Sequence, residues 1–64
     1  MIEEEIPSAL EGERLDRVVS LLADVTRSEA VVLVTGGHVT VDGLPAMVGK
    51  VRLRAGQQLG IDET

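Results

Sequence analysis

Residues 26–43 read T-R-S-E-A-V-V-L-V-T-G-G-H-V-T-V-D-G, and how they fold decides the rest of the chain. Thr26-x-x-Glu29 has the form of a capping box: the threonine hydroxyl accepts from the Glu29 amide while the glutamate reaches back. Val25 and Ala30 hold the two positions of a hydrophobic staple. Ala30, Leu33 and Val34 share a helix face, and Gly36-Gly37 offers a left-handed stop. A competing reading makes residues 31–34 and 38–41 two strands around Thr35-Gly36-Gly37, since valine favours strands. Propensity alone is the weaker signal. Box, staple and stop agree with one another, so a helix starting at Arg27 is expected. Val39-Thr40-Val41 then alternates, and Asp42-Gly43 signals a two-residue hairpin turn. Leu44 begins the return strand, and Pro45 confines it to an edge or ends it.

Working outward, residues 13–23 form the other helical stretch. Leu15, Val18, Val19 and Leu22 recur at i, i+3, i+4 and i+7. Glu13 and Arg17 make an i, i+4 pair in the favoured order, and Gly12 marks the entry. Before it, residues 1–6 read either as a strand with Ile2 and Ile6 on one face, ended by Pro7, or as a charged, frayed terminus. Residues 46–52 are a loop by composition, residues 54–57 a turn, and residues 58–61 a last short strand with Leu59 and Ile61 inward. The expected fold is α+β: two antiparallel helices packed on a small antiparallel sheet. Its expected core is Leu15, Val18, Val19, Leu22, Leu33, Val34, Val39, Val41, Leu53, Leu59 and Ile61.

Sixty-four residues make one domain, and a domain this small buries only ~60% of its unfolded surface. Without cysteine there is no disulfide or thiolate metal site, and His38 alone makes no metal cluster. Without Phe, Tyr or Trp there is no stacking platform for single-stranded bases. The net charge of −5 argues against a general attraction to nucleic acid. The acids crowd the ends, at Glu3, Glu4, Glu5, Glu11 and Glu13 and at Asp62 and Glu63. Between them Arg14, Arg17, Arg27, Lys50, Arg52 and Arg54 face few acids, which leaves room for a basic face. No apolar run approaches a membrane span and no signal peptide opens the chain, so a cytoplasmic protein or a piece of one is expected.

Ser20, Thr26, Ser28 and His38 assemble no nucleophile-base pair at recognisable spacing, and no cofactor site is expected. Glu3-Glu4-Glu5 reads as a solvated run rather than an acid/base pair, and Gly36-Gly37 lacks the Lys-Ser/Thr of a phosphate loop. What remains is recognition. A helix beginning at Arg27 presents free amides and a guanidinium, a suitable place for a phosphate. Arg14 and Arg17 are candidates to lie beside it, and the loop adds Lys50, Arg52 and Arg54.

The set Arg14-Leu15-Asp16, Thr26-Arg27-Ser28-x-Ala30, Leu33-Val34-x-x-Gly37-x-Val39-x-Val41-Asp42-Gly43 and Leu53-x-x-Gly56 resembles the alpha-L RNA-binding motif, the small domain named after ribosomal protein S4. The resemblance runs without gaps over residues 14–56. Ile6-Pro7-x-x-Leu10-x-Gly12-Glu13-Arg14-Leu15-Asp16 further resembles the N-terminal segment of ribosomal large-subunit pseudouridine synthases of the RluA/RluD type. The resemblance implies a single RNA-binding domain over residues 1–64, the N-terminal fragment of a larger enzyme, itself carrying no catalytic residue. It implies structured ribosomal RNA as partner, neither DNA nor a membrane, and a monomer. It carries RNA contact onto Arg14, Arg27 and Ser28, the region around His38 and the turn at Asp42 and Gly43, with Lys50 a candidate from its loop; Arg17 and Thr26, beside the two helix starts, complete the expected RNA-binding set. Glu13-Arg14-Leu15-Asp16 is similar to the catalytic His-Arg-Leu-Asp of those synthases, but it lacks the histidine and the following Thr-Ser-Gly, so Asp16 is read as a structural helix-start residue. The chain departs from the family's polar second helix at Val31, Val32 and Thr35. Those valines suggest the alternative of a protein-interaction or intramolecular docking domain.

Overall fold

Thr26 caps a helix, not a strand, in the computed structural model of the chain, which describes residues 1–62. Its hydroxyl accepts from the Glu29 amide at 3.1 Å, and Glu29 Oε1 accepts from the Thr26 amide at 3.4 Å. The expected capping box is therefore present at the start of α2 (Arg27–Thr35). The helix ends as two glycines allow. Gly37 takes φ +82°, the His38 amide donates to the Leu33 carbonyl and the Gly37 amide to that of Val34. This is a Schellman stop, and it turns the chain directly into a strand.

Helix α1 (Leu15–Ala23) starts two residues later than the sequence suggests. Arg14 is extended, with ψ 144°, because residues 12–14 are held from the side by the chain that returns much later. The Gly12 amide donates to the Leu53 carbonyl, the Leu53 amide to that of Glu13, and Arg14 bridges Arg52. No side chain caps α1. Its first two amides, Leu15 and Asp16, donate instead to the carbonyls of Val51 and Gly49. The loop between residues 46 and 52 thus serves as the cap, satisfying donors that a helix start leaves orphaned.

The sheet has the order β1-β4-β2-β3, with β1 (Ile2–Glu5), β2 (Val39–Val41), β3 (Leu44–Pro45) and β4 (Gln58–Ile61), all neighbours antiparallel. The terminal stretch is therefore a strand. Three consecutive glutamates favour no strand by themselves, but pairing of Ile2 with Ile61 and Glu4 with Leu59 gives it a template. Asp42 and Gly43 both take positive φ, 52° and 81°, as a two-residue hairpin turn of the mirror-image kind requires.

One core joins the layers. Leu15, Val18 and Val19 from α1, Ala30 and Val34 from α2, Val39, Leu59 and Ile61 from the sheet, and Ile6 and Leu53 from the connections are all buried. Ile6 and Ala30 belong to this core although the expected set omits them. Leu22, Leu33 and Val41 are only half-buried, because each lies towards the end of its element and packs on the core's margin. One charged residue is buried among the described residues: Asp16.

Candidate nucleic-acid interface

Asp16 occupies the second position of α1, three and seven residues before Val19 and Ala23 on the same stripe of the helix. That phase turns its carboxylate towards the protein rather than to solvent. There, a single oxygen, Oδ2, accepts from Arg14 Nη2 at 3.0 Å and from Arg27 Nη2 at 3.4 Å. The aspartate side chain is 3% exposed, whereas those of Arg14 and Arg27 are 45% and 52% exposed. Two guanidinium groups from the starts of the two helices thus meet over one buried carboxylate and keep much of their surface open to solvent.

Lys50 joins this surface through its neighbour. Gly49 lies so close to Asp16 that a Cβ built on it would stand 3.1 Å from the aspartate Cβ. The next residue, Lys50, is exposed. Ser28 is exposed one position after Arg27, at the start of α2, where helix amides lack intrahelical partners. Of the expected site residues, Arg14 and Arg27 are joined through Asp16, while Ser28 and Lys50 are exposed neighbours in sequence of Arg27 and Gly49.

The other expected contacts are placed differently. Arg17, exposed, pairs with half-buried Glu13 at 3.6 Å. Among the described residues no hydrogen bond or ion pair joins Arg17 to the Asp16 cluster. The Thr26 hydroxyl is engaged by Glu29, accepting from its amide and donating to Oε1 at 3.1 Å. His38 is half-buried, and its carbonyl accepts from the Asp62 amide at 2.7 Å. Asp42 fastens the hairpin to β4: its Oδ1 accepts from the Gln58 amide, and its own amide donates to the Gln58 carbonyl. Gly43 is exposed at the tip of that turn. Thr26 and Asp42 have structural duties that account for their positions.

Asp16, read from the sequence as a structural helix-start residue, and Gly49 are members of the cluster that the expected RNA-binding set does not include. For Asp16 the signal was available in its helix phase, which puts it with Val19 and Ala23 rather than on the outer face. For Gly49 no sequence signal existed, because its close approach depends on a loop returning from over thirty residues away.

Elsewhere, Val32 is 66% exposed on α2 and borders a shallow apolar groove with Val25, Leu33 and Glu29. No helix of the described residues is long and apolar enough to cross a membrane, and among them no group of His, Cys, Asp and Glu is arranged to hold a metal.

Two short helices on a four-stranded antiparallel sheet, with guanidinium groups gathered at the helix starts, define an alpha-L type recognition module. The model of the S4 domain matches residues 13–59, and the chain belongs to that RNA-binding family. No curated protein matches the chain.

Proposed function

We propose that this S4 domain binds structured ribosomal RNA through backbone and shape, as the monomeric N-terminal module of a cytoplasmic pseudouridine synthase of the RluA/RluD type. The observation that carries the RNA reading is the convergence of Arg14 and Arg27 on Asp16. It sets two guanidinium donors beside the start of α2, where backbone amides and the helix dipole favour an anion. Guanidinium forks suit phosphate oxygens. With no aromatic residue available for base stacking, contacts to phosphate and sugar are the chemistry this surface offers. The synthase assignment is supported by residues 6–16, whose Ile-Pro-x-x-Leu-x-Gly-Glu-Arg-Leu-Asp pattern resembles the segment that precedes the catalytic domain in those enzymes. On this reading the module delivers RNA, and catalysis belongs to a domain elsewhere in the parent protein.

The test is titration of a labelled RNA stem-loop at several salt concentrations. Binding that weakens with salt, and weakens further in Arg27→Ala, is the expected result. Absence of binding at low salt removes the RNA reading. Reading the parent gene past residue 64 tests the synthase assignment: a downstream His-Arg-Leu-Asp with Thr-Ser-Gly supports it, and a stop codon argues for a free-standing binding protein.

A second reading rests on exposed Val31 and Val32 on α2, of which Val32 lines the apolar groove. There the domain docks against protein, within its parent or outside it. Loss of self-association or partner binding in Val31→Glu, with RNA affinity intact, is the outcome that favours it. Association unchanged by that substitution counts against it.

A further inference from the structure

Asp16 is an odd residue for an RNA-facing surface, since a carboxylate repels phosphate. It is also poorly provided for. Its Oδ1 is buried without a hydrogen-bond partner among the described residues, so the whole carboxylate is served through Oδ2. A buried, half-satisfied carboxylate is costly, and such a cost in a native fold calls for an explanation.

We propose that Asp16 is a positioning residue that holds Arg14 and Arg27 together as one clamp for a single RNA backbone phosphate. This rests on the RNA reading above and specifies how that surface works. Because both Nη2 atoms contact the same oxygen, they lie no further apart than the two contacts of 3.0 and 3.4 Å laid end to end. Two guanidinium groups at such a spacing repel each other, and long side chains carry rotamer entropy that must be lost on binding. The shared carboxylate offsets the repulsion and fixes the rotamers before RNA arrives.

Each guanidinium has five N–H donors, and the described hydrogen bonds take one nitrogen of each. The remaining donors are not taken up by the described hydrogen bonds, and both side chains stay about half-exposed, so the oxygens of one phosphate can be met by both groups. Gly49 completes the arrangement. With no side chain it lets the loop lie against Asp16, and its carbonyl takes the Asp16 amide at 3.0 Å.

The proposal predicts a sign that electrostatics alone would reverse. Removing a negative charge beside a phosphate site should tighten RNA binding if Asp16 is only a bystander. If it positions the clamp, Asp16→Asn should weaken binding to a fluorescein-labelled RNA stem-loop, by about tenfold, while circular dichroism shows the fold retained. Tighter or unchanged binding by a folded Asp16→Asn protein overturns the proposal, including the case in which only thermal stability falls.

Should Asp16→Asn fail to fold, Arg14→Ala, Arg27→Ala and the double variant decide with the native aspartate in place. A clamp predicts that the double variant loses little more affinity than either single one; independent, additive losses overturn it. Nitrogen NMR of the unliganded wild-type chain separates this from the RNA reading itself. Hindered guanidinium rotation at Arg14 and Arg27, but not at exposed Arg17, supports the clamp without any RNA, and free rotation at both overturns it. If the clamp is rigid and the wild-type chain still binds no stem-loop at low salt, the RNA reading fails, and a phosphate clamp for RNA falls with it.

Discussion

Asp16 shows how much one residue's setting depends on chain far from it. Its amide is bonded to the Gly49 carbonyl, its carboxylate to Arg14 and Arg27, and its Cβ abuts the Gly49 backbone. Gly49→Ala brings a methyl to 3.1 Å from the Asp16 Cβ and 3.3 Å from its Oδ2, so that side chain or the loop has to give way. The expected cost is about 1 kcal/mol, from displacement of the loop. A urea midpoint equal to that of wild type would show that the contact is looser than described. Arg27→Ala leaves the buried carboxylate with one partner. Both arginines are half-exposed and solvent screens their pairing, so the loss of stability should stay near 1 kcal/mol. The same urea titration measures it, and a loss of several kcal/mol would mean that the pair is structural first.

Among the elements, α2 carries the most information per residue. Its capping box, staple and glycine stop are local signals, and local signals can be read from sequence. Thr26→Ala should cost about 1 kcal/mol by removing the hydroxyl that accepts from the Glu29 amide. Thermal denaturation checks this, and an unchanged midpoint would show that the staple alone holds the helix start. The Asp42-Gly43 turn and β4 were legible for the same reason: turn chemistry and alternation are written within a few residues. What the sequence left undecided or misplaced depends on partners far along the chain. The first strand needs β4 as a template for its three glutamates. The start of α1 moves to Leu15 because residues 51–53 hold residues 12–15 extended or capped. The candidate site divides along the same line. Arg27 and Ser28 follow from the helix start, and Arg14 from the neighbouring motif. The carboxylate that joins the two arginines emerges only when both helices are packed.

At the scale of the molecule, a net charge of −5 meets an RNA-binding family through partial segregation, with Glu13 and Glu29 still flanking the helix starts. Glu3, Glu4 and Glu5 sit on the edge strand β1, paired only with β4. Arg14 and Arg27 gather instead at the helix starts, with Lys50 in the loop that caps α1. A chain so acidic should have little affinity for RNA beyond what that surface provides, which makes binding strongly dependent on a few residues and on salt. The most direct test is the affinity for an RNA stem-loop measured across salt concentration for wild type and Arg27→Ala. The account predicts a linear fall of log affinity with log salt, weaker binding by the variant, and a slope reduced by about one. Salt-independent affinity, or an Arg27→Ala protein that binds as tightly and with the same slope as wild type, would contradict it.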